Sequence, residues 1–164
     1  MVVRRAREAE LPEILAVYAR ARAFMKETGN PTQWGEDYPP EALLSEDIRE
    51  GRLYVLLSEG RIGGAFALFE RGDGLYDALS DVWQNDLPYA AIHRVASAGI
   101  AKGVLSSVIA FAQTVSNNLK IDTHEDNRVM QNALEKQGFV RCGVADRPDI
   151  GRRILSQKYE EAEK

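Results

Sequence analysis

Apolar residues near the start of the chain, Leu11, Ile14, Leu15, Tyr18, Ala21 and Met25, recur at spacings of three and four. That period predicts an amphipathic helix from residue 11 to about 28, preceded by a weakly alternating strand over residues 2–7. Pro12 stands where a first-turn proline is tolerated, and Gly29-Asn30-Pro31 stops the helix. A polar loop with aromatic side chains, residues 33–40, leads into a second helix from 40 to about 50, closed by Gly51. Leu53–Ser58 and residues 62–70 have strand composition and flank Glu59-Gly60-Arg61, a hairpin signal. Residues 71–88 carry glycines, aspartates and prolines around Tyr76, Trp83 and Leu87. They read as a long irregular excursion with a short strand at 81–83, and excursions of that length in a compact domain are usually functional.

The second half alternates strand and helix. Residues 89–96 predict a strand, 97–103 a glycine-containing turn, and 104–116 a helix with Val104, Val108, Phe111 and Val115 on one face. A strand over 119–123 and a helix over 127–137, capped by Gly138, follow. Residues 139–144 and 153–159 read as a closing pair of strands. Without an internal repeat, a low-complexity stretch or a linker, the pattern predicts one domain over residues 1–164.

Composition narrows the function classes. The chain has 164 residues, 45% hydrophobic and 28% charged, which suits one water-soluble domain with its own core. Cys142 is the only cysteine; with no apolar leader near Met1, this favours a cytoplasmic setting. No run approaches the roughly 18 apolar residues of a membrane span, so no membrane partner is expected. The formal net charge of −4 argues against nucleic acid as a partner. Two histidines and one cysteine leave no ligand set for a structural zinc ion, so no metal is expected. Exposed edges of a small sheet favour a homodimer.

A strand, a glycine turn and a helix in sequence make an anion site, because the first amides of the helix are unpaired and its dipole is positive there. Gly99 and Gly103 allow the turn and Lys102 adds a charge. The same glycines would also serve a turn that merely bends. A dinucleotide fold would want G-x-G-x-x-G and an acidic residue about 20 positions on. Asp122 lies near that distance, but the third glycine is missing and too few strand–helix units follow for a doubly wound sheet.

Ile92-His93-Arg94-Val95-Ala96, the turn to Gly103, then Asp122-Thr123-His124-Glu125-Asp126-Asn127, Met130-Gln131 and Leu134-Glu135-Lys136-Gln137-Gly138-Phe139 together resemble the GCN5-related N-acetyltransferase (GNAT) superfamily. The likeness is sharp over about residues 89–144 and holds in element order elsewhere. It implies an α+β fold: a mixed, mostly antiparallel sheet of six to seven strands, helices on both faces, and a splay between the fourth and fifth strands that takes acetyl-CoA. By the same resemblance, backbone groups of Val95, Ala96 and Ser97 would hold the pantetheine arm. Amides of Lys102, Gly103, Val104 and Leu105 would hold the pyrophosphate, and Asn127 would line the thiol end. Gly103 fits the family's Gln/Arg-x-x-Gly-x-Gly/Ala turn, whereas Ile100 and Leu105 depart from it. Glu135 stands where many members carry a tyrosine that reprotonates the coenzyme A thiolate.

The resemblance implies acetyl transfer to a primary amine of a small molecule or peptide. An alkylammonium with pKa near ~10 must first lose a proton, so a base is needed. His93 and His124 are candidates with unperturbed pKa near ~6.5, and each has an alternative structural role, in the sheet or at a helix cap. Tyr89, and behind it Tyr76, are the available phenols for the acid; Glu70 and Asp81 are further carboxylates. Trp34, Tyr38 and Trp83 are expected to line the acceptor pocket, unless they cover the core. Cys142, between Phe139 and Val144, reads as a packing residue. A binding or regulatory module on the same fold, without turnover, is the alternative function.

Overall fold

The computed structural model describes residues 1–79, 81–147 and 151–161. Its strands are β1 (Val2–Arg5), β2 (Leu53–Ser58), β3 (Arg61–Phe69), β4 (Ala90–Ser97), β5 (Asn118–His124), β6 (Val140–Arg147) and β7 (Gly151–Tyr159). Its helices are α1 (Leu11–Glu27), α2 (Glu41–Arg49), the single turn α3 (Gly74–Asp77), α4 (Val104–Val115) and α5 (Arg128–Lys136). The seven strands form one sheet in the order β1-β2-β3-β4-β5-β7-β6. All neighbours are antiparallel except β4 and β5, which run parallel, joined by α4 as a crossover.

Alternation along β2 and β3 sends residues to two cores. Tyr54, Leu56, Phe66 and Leu68 pack on one face with Val108 and Ile109 of α4 and Leu134 of α5. Leu53, Val55, Ala65 and Ala67 pack on the other with Ile14, Val17, Tyr18 and Ala21 of α1 and Leu44 of α2. The four α1 residues fall at intervals of three and four, so one stripe of the helix is buried. Helix α1 ends at Gly29 with φ +87°, and α5 is followed by Gly138 with φ +90°, both in the left-handed region that glycine occupies without strain.

The expected sheet, with helices on both faces, is present at the upper end of its strand count. The short strand expected at residues 81–83 is absent. Asp81 to Trp83 form a turn, in which Val82 N–H donates to the Leu79 carbonyl and Trp83 Nε1 donates to the Tyr76 carbonyl at 2.9 Å. These residues, with Tyr76 and Tyr89, cap a third core cluster over Ala91, Ala145 and Leu155. Val82 and Trp83 suggested a strand, but the Val82 amide is engaged within the turn and both side chains pack in this cluster. The single parallel strand pair excludes the doubly wound dinucleotide sheet.

One glycine sets the approach of β3 to β4 and α4. A Cβ on Gly64 would stand 2.9 Å from the Ala96 carbonyl oxygen and 2.9 Å from Val104 Cγ1. Gly64→Ala is therefore expected to lower stability by about 1–3 kcal/mol through overpacking, read as a lower urea midpoint at unchanged m-value.

Candidate active site

Pairing between β4 and β5 covers only Ala90–Leu119, Ala91–Lys120 and Ile92–Ile121. Beyond it, His93 to Ser97 and Asp122 to His124 diverge, and the peptide groups of β4 that face the gap have no strand partner there. The cause lies in β4. Against β3, Ala67 pairs with His93 and Ala65 with Ala96, so two residues of β3 span three of β4. This is a β-bulge, and Arg94 within it has φ +53°, a left-handed conformation unusual for a side chain of that size.

Three groups hold the bulge. The Tyr18 hydroxyl donates to the Arg94 carbonyl at 2.7 Å. Arg94 donates from Nε and Nη2 to the two carboxylate oxygens of Asp47, at 2.9 and 3.0 Å. Asp47 is fully buried and also accepts from Arg52 Nε at 2.7 Å. Charge-assisted, two-pronged contacts of this kind are strong and directional.

Two cavities meet at the gap. One, of about 580 Å³, is lined by Val95, Ala96 and Ser97 of β4, Val104 and Leu105 of α4, Met130 of α5 and Phe24 of α1. Gly103, with φ +78°, stands at the N-terminal cap of α4 with no side-chain cap. The first amides of a 12-residue helix are thus directed at this groove, and the donor set suits a pyrophosphate joined to an extended arm. Leu105 packs against the core cluster, and Ile100 Cγ1 lies 3.6 Å from where a Cβ on Gly63 would be. Leu105 thus both packs on the core and lines the cavity, and Ile100 lies beside Gly63 of β3.

The other cavity, of about 410 Å³, is lined by Trp34, Tyr38, Arg52, Phe69, Asp73, Tyr76, His93, Arg94, Asp122, Thr123 and Arg153. Met25, Val95, Asn127 and Met130 line both cavities, so the two adjoin at the splay. Asn127 caps α5 by accepting from the Met130 amide at 3.1 Å and donates to Gln33 Oε1 at 2.9 Å, which ties the loop after α1 to the gap.

His93 Nε2 is sealed from solvent 2.8 Å from Asp73 Oδ2. The contact is at hydrogen-bond distance. It holds the Asp73 carboxyl below its ordinary range, with the Leu75 amide adding to the effect. A proton on Nε2 faces that carboxylate and leaves Nδ1 as the basic nitrogen, 3.9 Å from Asp122 Oδ1. Asp122 itself accepts from the Tyr76 hydroxyl and stands 3.8 Å from Arg153 Nη1. Burial pushes the Tyr76 phenol well above its ordinary value, and Asp122 reinforces the shift.

The remaining residues singled out in the sequence sit elsewhere. His124 lies outside both cavities; its Nδ1 accepts from the Asp126 amide at 3.0 Å and its Nε2 stands 3.4 Å from the Thr32 hydroxyl. Tyr89 donates to Asp77 at 2.7 Å and accepts from the Asp73 amide at 2.9 Å, beneath the excursion. Trp83 is buried, with Lys120 Nζ 4.7 Å from its ring centroid. Lys102 is exposed beside the turn. Glu135 pairs with Arg141 at 3.1 Å with half of its side chain in solvent. Cys142 is partly buried against the third cluster, and burial pushes its thiol up. Among the described residues, no group of three or more His, Cys, Asp or Glu is placed to hold a metal ion. No helix among them is long and apolar enough to cross a membrane.

Four residues central to this geometry were not singled out by chemistry in the sequence: Tyr18, Asp47, Asp73 and Thr123. Tyr18 and Asp47 lie on the buried faces of α1 and α2, where sequence pattern shows only a helix. Thr123 lines the gap with its hydroxyl buried and unpartnered. Asp73 caps α3 by accepting from the Leu75 amide at 2.9 Å, so turn chemistry alone explained it.

Comparison with known proteins agrees with this architecture. No family model matches the sequence, and no curated protein matches it. Solved structures do, across nearly the whole chain, and most are GNAT-family acetyltransferases. A GNAT-family acetyltransferase from Streptococcus agalactiae is 28% identical with a TM-score of 0.84, over 98% of this chain and 96% of that one. The ribosomal-protein-alanine N-acetyltransferase of Brucella melitensis is 20% identical with a TM-score of 0.64, over 98% and 100%. A GNAT-like decarboxylase in complex with isobutyryl-CoA is 15% identical with a TM-score of 0.66, over 97% and 99%. The chain therefore has the GNAT fold, the architecture of acyltransferases, as the resemblance of residues 89–144 implied.

Two stability effects follow from the geometry. Asp47→Ala leaves the enclosed Arg94 guanidinium without its carboxylate and is expected to cost about 3–5 kcal/mol, read by denaturant unfolding. Thr123→Val removes a buried, unpaired hydroxyl at nearly constant volume and is expected to raise stability by about 1 kcal/mol in the same measurement.

Proposed function

We propose that this protein is an acetyl-CoA-dependent N-acetyltransferase that acts on a primary amine by direct attack in a ternary complex. The observation that carries the reading is that two cavities adjoin at the β4–β5 gap, sharing Met25, Val95, Asn127 and Met130, with His93 lining one of them. The thioester arm would lie along β4 from Val95 to Ser97, its pyrophosphate at the amides from Lys102 to Leu105, and its acyl group beside Asn127 and Thr123. Unpaired β4 amides at the bulge are suited to polarise the thioester carbonyl.

The amine would enter from the cavity of Trp34 and Tyr38. His93 Nδ1 accepts a proton from the ammonium, the freed nitrogen pair bonds to the carbonyl carbon, the now cationic nitrogen gives its second proton to solvent, and the tetrahedral intermediate collapses to the amide as the carbon–sulfur bond breaks. The electron pair leaves on sulfur. Asp73 fixes the histidine tautomer and stabilises the imidazolium. With Glu135 in solvent, no phenol stands at the family's usual place for an acid. The unpartnered Thr123 hydroxyl would donate to the leaving thiolate, which needs only a hydrogen bond until solvent protonates it, since a thiol pKa is near ~8.5.

Glu135 also supports a second reading, a coenzyme-binding module without turnover. Saturation with acetyl-CoA at a hundred times its Kd is expected to stabilise the fold by about 2.7 kcal/mol, read as a rise in Tm. Thiol release across a panel of amines then separates the readings. Release supports the transferase; binding without release supports the module; no Tm shift at millimolar acetyl-CoA removes both. His93→Ala is expected to lower kcat by roughly 10²–10⁴ at neutral pH and to abolish the acid limb of the pH–rate profile. An unchanged profile would show that His93 is not the base.

A further inference from the structure

The charges around the acceptor cavity are arranged in two poles. Arg52 and Arg94 both line it and share a single carboxylate, that of buried Asp47, which does not. Two guanidinium cations against one carboxylate leave one positive charge in excess. The next anion, Glu46, is 3.9 Å from Arg52 and half exposed, where water screens it. The second pole is Asp73 beside His93, which carries one negative charge while the imidazole is neutral. Asp122 is engaged by Tyr76 and Arg153, and that pair contributes no net charge.

Phe69 connects the poles. Its ring centroid is 4.8 Å from Arg52 Cζ, 5.6 Å from Arg94 Cζ and 4.9 Å from the His93 ring. The two guanidinium groups and the imidazole thus lie against one phenyl ring. Tyr38 closes the cationic side, its hydroxyl 3.3 Å from Arg94 Nη1.

Resting on the transferase reading, we infer that the acceptor is a free amino acid: its carboxylate sits on the Arg52–Arg94 pair and its amine faces His93 and Asp73. A simple alkylamine satisfies one pole and leaves the enclosed cationic pole without an anion. Planar guanidinium groups with excess charge suit a carboxylate, and a bidentate contact fixes the amine's position relative to the gap.

The test measures thiol release from acetyl-CoA with the full-length protein and two matched series. One contains α-amino acids and ω-amino acids of two to six carbons; the other contains their carboxamides and the corresponding n-alkylamines. At least a tenfold higher kcat/KM for the best amino acid than for its carboxamide is expected. Arg52→Met should reduce that ratio severalfold or more, and Arg52→Lys should retain part of it. Arg52→Gln serves if the methionine variant does not fold, with melting temperature as the check. Equal kcat/KM in the two series, or a ratio untouched in the folded Arg52 variant, overturns the carboxylate site while acyl transfer stands. Absence of thiol release in both series overturns the transferase reading and this inference with it.

Discussion

The functional architecture depends on a local distortion in one strand, the bulge of β4 at Arg94. A regular β4 would continue its parallel ladder with β5 past Ile92 and Ile121, the gap would close, and the two cavities would be separated by sheet. The extra residue instead turns the strand so that its amides face open space, while Arg94 adopts φ +53°. Such a conformation in a non-glycine residue costs about 1–3 kcal/mol and persists only where surrounding contacts over-determine it. Here they do: Tyr18 fixes the carbonyl and Asp47 fixes the guanidinium.

That arrangement explains why two helices far from β4 in sequence belong to the site. Helix α1 supplies Tyr18 from its buried stripe, and α2 supplies Asp47 from within its apolar face. A carboxylate enclosed to that degree is expensive to desolvate and contributes little to net stability even when well paired. Its position is better understood as specifying one shape of the bulge. The same carboxylate holds Arg52 and Arg94, which line the cavity beside His93, so gap geometry and cavity charge are set by a single buried group.

The alternation and helical periods of the sequence indicated most of the fold, because β2, β3 and α1 each bury one face and therefore carry a clean pattern. The excursion after β3 was misjudged at Asp81 to Trp83, where aromatic and β-branched residues serve a cap over Ala91 and Leu155 and make no ladder. Resemblance marked the neighbourhood of Gly103 and Asn127, since glycine turns and caps have local chemical signatures. Asp47, Asp73 and Tyr18 were not legible. Their roles come from long-range approach, such as the 47 positions between Asp47 and Arg94, and no local pattern encodes which helix face a distant bulge will need.

Histidine selection illustrates the same limit from the other side. His93 and His124 flank the gap at equivalent depth in sequence, and composition could not separate them. Packing does: the Asp126 amide and the Thr32 hydroxyl engage both nitrogens of His124, whereas His93 lines the cavity with Asp73 at Nε2 and Nδ1 3.9 Å from Asp122 Oδ1. A carboxylate on one nitrogen fixes the tautomer and the direction of the other. The strand that carries His93 also carries the bulge one residue later, so the imidazole, the unpaired amides and the Arg94 charge are held in register by three consecutive positions, His93, Arg94 and Val95. A change that straightened the bulge would displace all three functions together, which makes the buried contacts of Asp47 and Tyr18 as consequential for chemistry as the groups that line the cavities.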